Sequence, residues 1–164
     1  MIDYERVREI IAKGLKSYVK CPVVKSNQNE SPPAYPYISY TITTLASANN
    51  GSYGVHDNGV HAKPVKQTWS ITAKSDNDSE SVMLACKARE WLENVGTTYL
   101  TDNNVICESV GGITNRDNIL TVAFEYNKGF DAVFNLMDIV GNATEESGEI
   151  ESYEIGINEN KGGV

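Results

Sequence analysis

From residue 37 to residue 138 the chain alternates between runs that suit a pleated strand and one run that suits a helix, and that order limits it to few architectures. Residues 65–74 set the frame. Val65, Gln67, Trp69, Ile71 and Ala73 fall on one side, and Lys66, Thr68, Ser70, Thr72 and Lys74 on the other, the period of a strand with one buried and one solvated face. Residues 37–45 are β-branched and aromatic, with Ile38, Tyr40, Ile42 and Thr44 opposite Tyr37, Ser39, Thr41 and Thr43. The two runs are expected to pair as a hairpin. Its tip, 46–63, is long and carries the turn signals Asn49-Asn50-Gly51 and Asp57-Asn58-Gly59.

Helices flank this frame. Over residues 3–18, Tyr4, Val7, Ile10, Ile11, Leu15 and Tyr18 or Val19 recur at three- and four-residue steps, which predicts an amphipathic helix. Asp3 is placed to cap it, and Cys21-Pro22 to stop it. Val23-Val24 suits a short strand, and 27–36, around Ser31-Pro32-Pro33, a loop. A second helix is predicted from Ser79 as N-cap to about Asn94. Its buried stripe is read as Val82, Ala85, Cys86, Arg89 and Leu92, with Trp91 beside it and Gly96 as a left-handed cap. Residues 104–110 read as a strand and 115–118 as a polar turn. Ile119 to about Asp138 reads as one long strand, bent by a turn or glycine bulge at Asn127-Lys128-Gly129. The sum is an α+β domain, 1–140: an antiparallel sheet of mixed strand lengths with two helices on one face.

The net charge of −8 is unevenly spread. Residues 141–164 hold six glutamates against Lys161, a local −5, which leaves −3 for the body. This acidic extension is expected to stay free of the core and to order only on a partner, though Tyr153, Ile155 and Ile157 alternate enough for one weak strand. No basic footprint for duplex DNA is present. Cys21, Cys86 and Cys107 are scattered and odd in number, and are expected to be reduced, partly buried thiols. Charged residues from Asp3 to Glu9 interrupt any signal-peptide core, and no run suits a membrane span. A protein kept in the cytoplasm is the expectation.

Catalytic patterns are missing from the sequence. His56, Asp57 and His61 share a glycine-rich loop with no further ligand nearby, so no metal site is expected. These are the only histidines, and neither a nucleophile elbow nor a phosphate-binding loop occurs. Glu80, Glu90 and Glu93 read as solvated helix charges. No catalytic residue, cofactor or metal is assigned. Trp69 and Trp91 are read as core, with an interface anchor as the alternative. Lys63, Lys66 and Lys74 read as a solvated strand face, with single-stranded nucleic acid as the alternative.

Five segments, taken in order, carry a resemblance: Tyr35-Pro36-Tyr37-Ile38-Ser39-Tyr40, residues 67–73 around Trp69, Lys87-Ala88-Arg89-Glu90-Trp91-Leu92, Asn115-Arg116-Asp117-Asn118, and Tyr126-Asn127-Lys128-Gly129-Phe130-Asp131. Over roughly residues 2–140 the chain resembles the small neck or tail-terminator proteins of tailed phages and of phage-tail-like particles of Gram-positive bacteria. The resemblance implies a structural, non-catalytic virion subunit, assembled in the host cytoplasm and resident in the tail or neck. It implies a homo-hexameric ring that caps the head-proximal end of the tail tube. The implied partners are the tube protein, a neck or head-completion protein and, in a contractile tail, the sheath; no cofactor, membrane or specific nucleic acid is implied. Ring subunits need surfaces for a closing, heterologous contact. The candidates are Asn49, Asn50, Tyr53, His56 and Asp57 in the long loop, Arg116 and Asp117 in the polar turn, and Lys128. Two other readings stand beside this one: another head–tail connector, and a monomeric module for peptide or single-stranded nucleic acid.

Overall fold

The computed structural model describes residues 2–27, 31–48, 53–55, 61–119 and 124–140. Helix α1 (Tyr4–Val19) leads into strand β1 (Val23–Lys25), then β2 (Tyr37–Ala48), β3 (Gly54–Val55) and β4 (His61–Ser75). Helix α2 (Asp78–Glu90) continues through a π-helical turn, Trp91–Val95, into the short α3 (Thr97–Asp102). Strands β5 (Val105–Val110), β6 (Thr114–Asn115), β7 (Asn118–Ile119) and β8 (Phe124–Val140) complete the fold. The main strand order is β1-β2-β4-β8-β5. This is the α+β fold expected, with one amendment: β1 lies parallel to β2, so the sheet is mixed rather than antiparallel.

The predicted hairpin forms. β2 and β4 pair antiparallel from Tyr37↔Lys74 to Ala48↔Val65, with irregularities on either side of Thr44. Val65, Gln67, Trp69, Ile71 and Ala73 are buried, as their alternation required. Trp69 stacks on Tyr40, meets Phe134 edge-on and donates its indole N–H to Gln67 Oε1 at 3.0 Å. The bond satisfies the one polar atom of an indole that is 1% exposed.

Helix α1 follows its apolar stripe, burying Val7, Ile10, Ile11, Leu15 and Val19. Asp3 caps it by accepting from the Arg6 N–H at 3.0 Å. Helix α2 departs from expectation in two respects. Its cap is Asn77, whose side chain accepts from the Glu80 N–H, not Ser79. Its buried face is Ser81, Leu84, Ala85 and Ala88, while Val82 and Cys86 are exposed. Five consecutive apolar residues, 82–86, leave the phase of the stripe open. Small Ser81, Ala85 and Ala88 settle it by presenting a smooth face to β4 and β8.

Two glycines also have different reasons than expected. Gly96 has φ −87°, not a left-handed cap geometry; a Cβ there would come within 2.4 Å of the Trp91 indole. Gly129 forms neither a turn nor a bulge, because β4 and β8 stay in register without a break from Ser75↔Tyr126 to His61↔Val140. The expected long strand from Ile119 is instead two: β7 pairs back on β8 through Asn118↔Glu125 and Ile119↔Phe124. No glycine, proline or asparagine punctuates 119–125, so the sequence carried no sign of that reversal.

Candidate functional surfaces

The described candidates do not gather in one place. Asn49, Asn50, His56 and Asp57 lie outside the described residues. Arg116, Asp117 and Lys128 sit near one end of the β4–β8 ladder, and Tyr53 sits beside Asp138 at the other. Ten strand residues separate Lys128 from Asp138, about 33 Å. Among the described residues no group of three or more His, Cys, Asp or Glu is placed to hold a metal ion, and no helix is long and apolar enough to cross a membrane.

At the first end the polar turn is stitched down along β8. The Arg116 N–H donates to the Asn127 carbonyl at 2.7 Å, and the Asn127 N–H donates to Asp117 Oδ1 at 2.7 Å. Neighbouring side chains then take opposite faces of the sheet. The Arg116 guanidinium crosses the face away from the helices, donating to Ser70 Oγ at 2.7 Å, Thr72 Oγ1 at 3.1 Å and Asp131 Oδ1 at 3.1 Å. Asp117 accepts from Lys128 Nζ at 2.8 Å, and Lys128 also reaches Asp78 at 2.9 Å, tying the turn to the start of α2. Asp78 as a partner was not legible, since the pairing joins residues 50 positions apart.

The charges here respond to one another. Burial alone would raise the Asp117 carboxyl, but Lys128, the Asn127 N–H and Asn115 bring it below its ordinary value. Burial likewise works against the Lys128 ammonium, and Asp117 and Asp78 outweigh it and raise its pKa. A depressed carboxyl stabilises the fold above its unfolded pKa, about 4, and the contribution fades as pH falls through the folded value. A raised ammonium stabilises below about 10.4 and fades as pH rises through its folded value. The network is therefore at full strength between those limits. We expect Asp117→Asn to cost about 1 kcal/mol at pH 7, the range of a partly exposed pair. That difference from the wild type should shrink below pH 4 when stability is measured by urea denaturation across pH.

Beside Arg116 the same sheet face holds a cavity of about 500 Å³ under Pro32 and Pro33, lined by Tyr37, Lys74, Glu125 and Asn127. Burial would raise Glu125, yet Asn127, Lys74 and Tyr35 together hold it below its ordinary value. Tyr35, which donates to Glu125 at 3.1 Å, is pushed up to about 12, first by burial and then by that bond. Sequence reasoning passed over this cluster. The available sign was Glu125 and Asn127 at alternate positions of an otherwise aromatic run.

At the other end the sheet narrows to a ledge. β2 stops pairing at Ala48↔Val65 and β5 begins at Val105↔Leu136. Among the described residues only β3, β4 and β8 continue beyond them, with Gly54↔Ala62, Val55↔His61 and His61↔Val140. The loop read as 46–63 is thus partly strand. Tyr53 donates to Asp138 Oδ2 at 2.6 Å, and Lys63 Nζ lies 4.5 Å from its ring centroid. Met137, Ile139 and Val140 are 44%, 51% and 42% exposed on this ledge.

The described residues thus form a mixed sheet backed by helices, with a ledge projecting at one end. The model of the phage neck terminator protein family matches residues 9–163. The chain belongs to the phage neck terminator protein family. No curated protein matches it. As a phage neck terminator protein it has a structural role in the phage tail or neck. The match also runs through the acidic extension, past residue 140 where the resemblance legible in the sequence ended.

Proposed function

We propose that this neck terminator subunit closes into a ring on the head-proximal end of the tail tube, stops tube growth and offers its far side to the neck. Family membership carries the reading, and the ledge supports it. Three strands projecting beyond the rest of the described sheet, with Met137, Ile139 and Val140 partly exposed, offer an apolar surface for a neighbouring subunit or the tube. The role needs no catalysis, and the polar networks around Arg116 and Lys128 serve to fix the turn against the sheet.

The test is to add the purified protein to polymerising tail tubes and measure tube lengths by negative-stain microscopy. Capping predicts shorter tubes with a ring of added density at one end. Unchanged lengths with no end-bound density would sink the reading. Deleting residues 49–58 is expected to leave the monomer folded, with its cooperative unfolding transition kept, while end binding falls by at least about tenfold, the worth of a small interface patch. A deletion that unfolds the monomer would instead assign this segment to the core.

A further inference from the structure

Seven cations among the described residues are held in ion pairs: Arg8, Lys13, Lys66, Lys74, Arg89, Arg116 and Lys128. Of the others, Lys16 and Lys20 gather at the C-terminal end of α1. With Lys13, Ser17, Cys21 and Pro22 they line an open cleft of about 500 Å³ that has no acidic residue among its described lining. Its rim is cationic, and its floor is Cys21, Pro22 and the lysine stems. Glu80 and Lys87 both lie close enough to act on the Cys21 thiol and offset one another, which leaves Lys13, Lys16 and Lys20 as the charges of the cleft rim. In a chain of net charge −8, this is a basic corner on an acidic molecule.

The chain itself carries a segment of the complementary chemistry. Residues 151–155, Glu151-Ser152-Tyr153-Glu154-Ile155, combine two carboxylates with two large apolar side chains. The extension starts in reach of the cleft. Ile2, Asp3 and Arg6 share a groove with Met137 and Ile139, so β8 ends beside the first turn of α1. From Asp3 to Lys16 is about 20 Å of helix. A random coil of twelve residues, the length of 141–152, has a root-mean-square span of about 20 Å, which matches the distance to the cleft.

We propose that the C-terminal extension folds back along α1 of its own molecule and seats residues 151–155 in this cleft. Glu151 and Glu154 meet Lys16 and Lys20, and Tyr153 and Ile155 cover the Cys21-Pro22 floor. Tethering gives the segment a millimolar effective concentration at the cleft, so individually weak surface pairs suffice. The docked extension masks the basic corner, and a partner with an acidic surface gains access only by displacing it.

Zero-length carbodiimide cross-linking of the full chain tests this, using equal amounts of ¹⁴N- and ¹⁵N-labelled protein and mass spectrometry of the monomer and dimer bands. We expect cross-links from Lys16 or Lys20 to Glu151 or Glu154 in the monomer band, always between like isotopes. They should fall about tenfold in 1 M salt, where the screening length is about 3 Å, and they are lost with the amines in Lys16→Glu/Lys20→Glu. Adding Glu151→Lys/Glu154→Lys to that variant should restore them with the charges exchanged. Ending the chain at residue 140 should raise acetylation of Lys16 and Lys20 several-fold, a readout independent of the charge variants. Three results would overturn the proposal: no such cross-links at low salt, cross-links confined to mixed-isotope dimers, or unchanged lysine acetylation after truncation. The experiment uses the isolated chain, so its outcome does not depend on whether the ring forms.

Discussion

Gly129→Ala is expected to destabilise the protein by about 3 kcal/mol, the upper range for overpacking a core position. The backbone at Gly129 is regular strand, in register with Thr72, so conformational freedom is not the reason for glycine. Space is. A Cβ at 129 would stand 2.7 Å from Arg116 Nη1, 2.8 Å from the Ile71 carbonyl oxygen and 2.8 Å from Thr72 Oγ1. The guanidinium can move, but only by giving up its bonds to Ser70, Thr72 and Asp131, each a charge-assisted contact of about 1.5–3 kcal/mol at most. The Ile71 carbonyl belongs to β4 and cannot move without disturbing the central ladder. The two obstacles separate in a double-mutant cycle. Arg116→Ala should make Gly129→Ala cheaper without making it neutral, because the carbonyl contact remains. Urea denaturation of the four proteins measures this, and full additivity would mean that Arg116 does not occupy the space above Gly129.

Gly14→Ala is expected to cost about 2 kcal/mol, although the same change in an exposed helix gains about 1 kcal/mol from propensity. Here a Cβ would stand 2.5 Å from Trp91 Cζ2 and 2.6 Å from Tyr99 Cε1. Tyr99 is 40% exposed and can swing away. Trp91 is 4% exposed and also packs on Gly96, where a Cβ would be 2.4 Å from Cε2. The indole is thus buried against two glycines and has little room to move. Overpacking of this kind costs about 1–3 kcal/mol and outweighs the propensity gain. In a Trp91→Leu background the order should reverse, with Gly14→Ala becoming neutral or stabilising. A penalty that persists there would place its cause elsewhere in α1.

Several elements were legible because their cause is local. The alternation of 65–74 fixed which side of β4 is buried, since a one-residue slip would have turned Trp69 outward. Asp3 and the stripe from Val7 to Val19 defined α1, because a cap and a 3.6-residue period act within one or two turns. The apolar run 82–86 satisfied the helical period in more than one phase, and the buried face of α2 was misread accordingly. The candidate contact residues were chosen as turn chemistry. The described ones proved to be tied into the fold at opposite ends of the sheet, while the Tyr35–Glu125–Lys74 cluster went unnoticed because it joins residues 51 and 90 positions apart.

The sequence by itself determined the order of elements, the hairpin of β2 with β4, both tryptophans as core and the unequal distribution of charge. Only the tertiary structure decided the parallel placement of β1, the return of β7 along β8, and the work of Gly14, Gly96 and Gly129. A glycine reports only that a side chain is absent. Whether it permits an unusual backbone angle or clears room for a neighbour depends on what stands above it. For Gly14 and Gly129 that neighbour, Trp91 or the Ile71 carbonyl, arrives from more than fifty residues away.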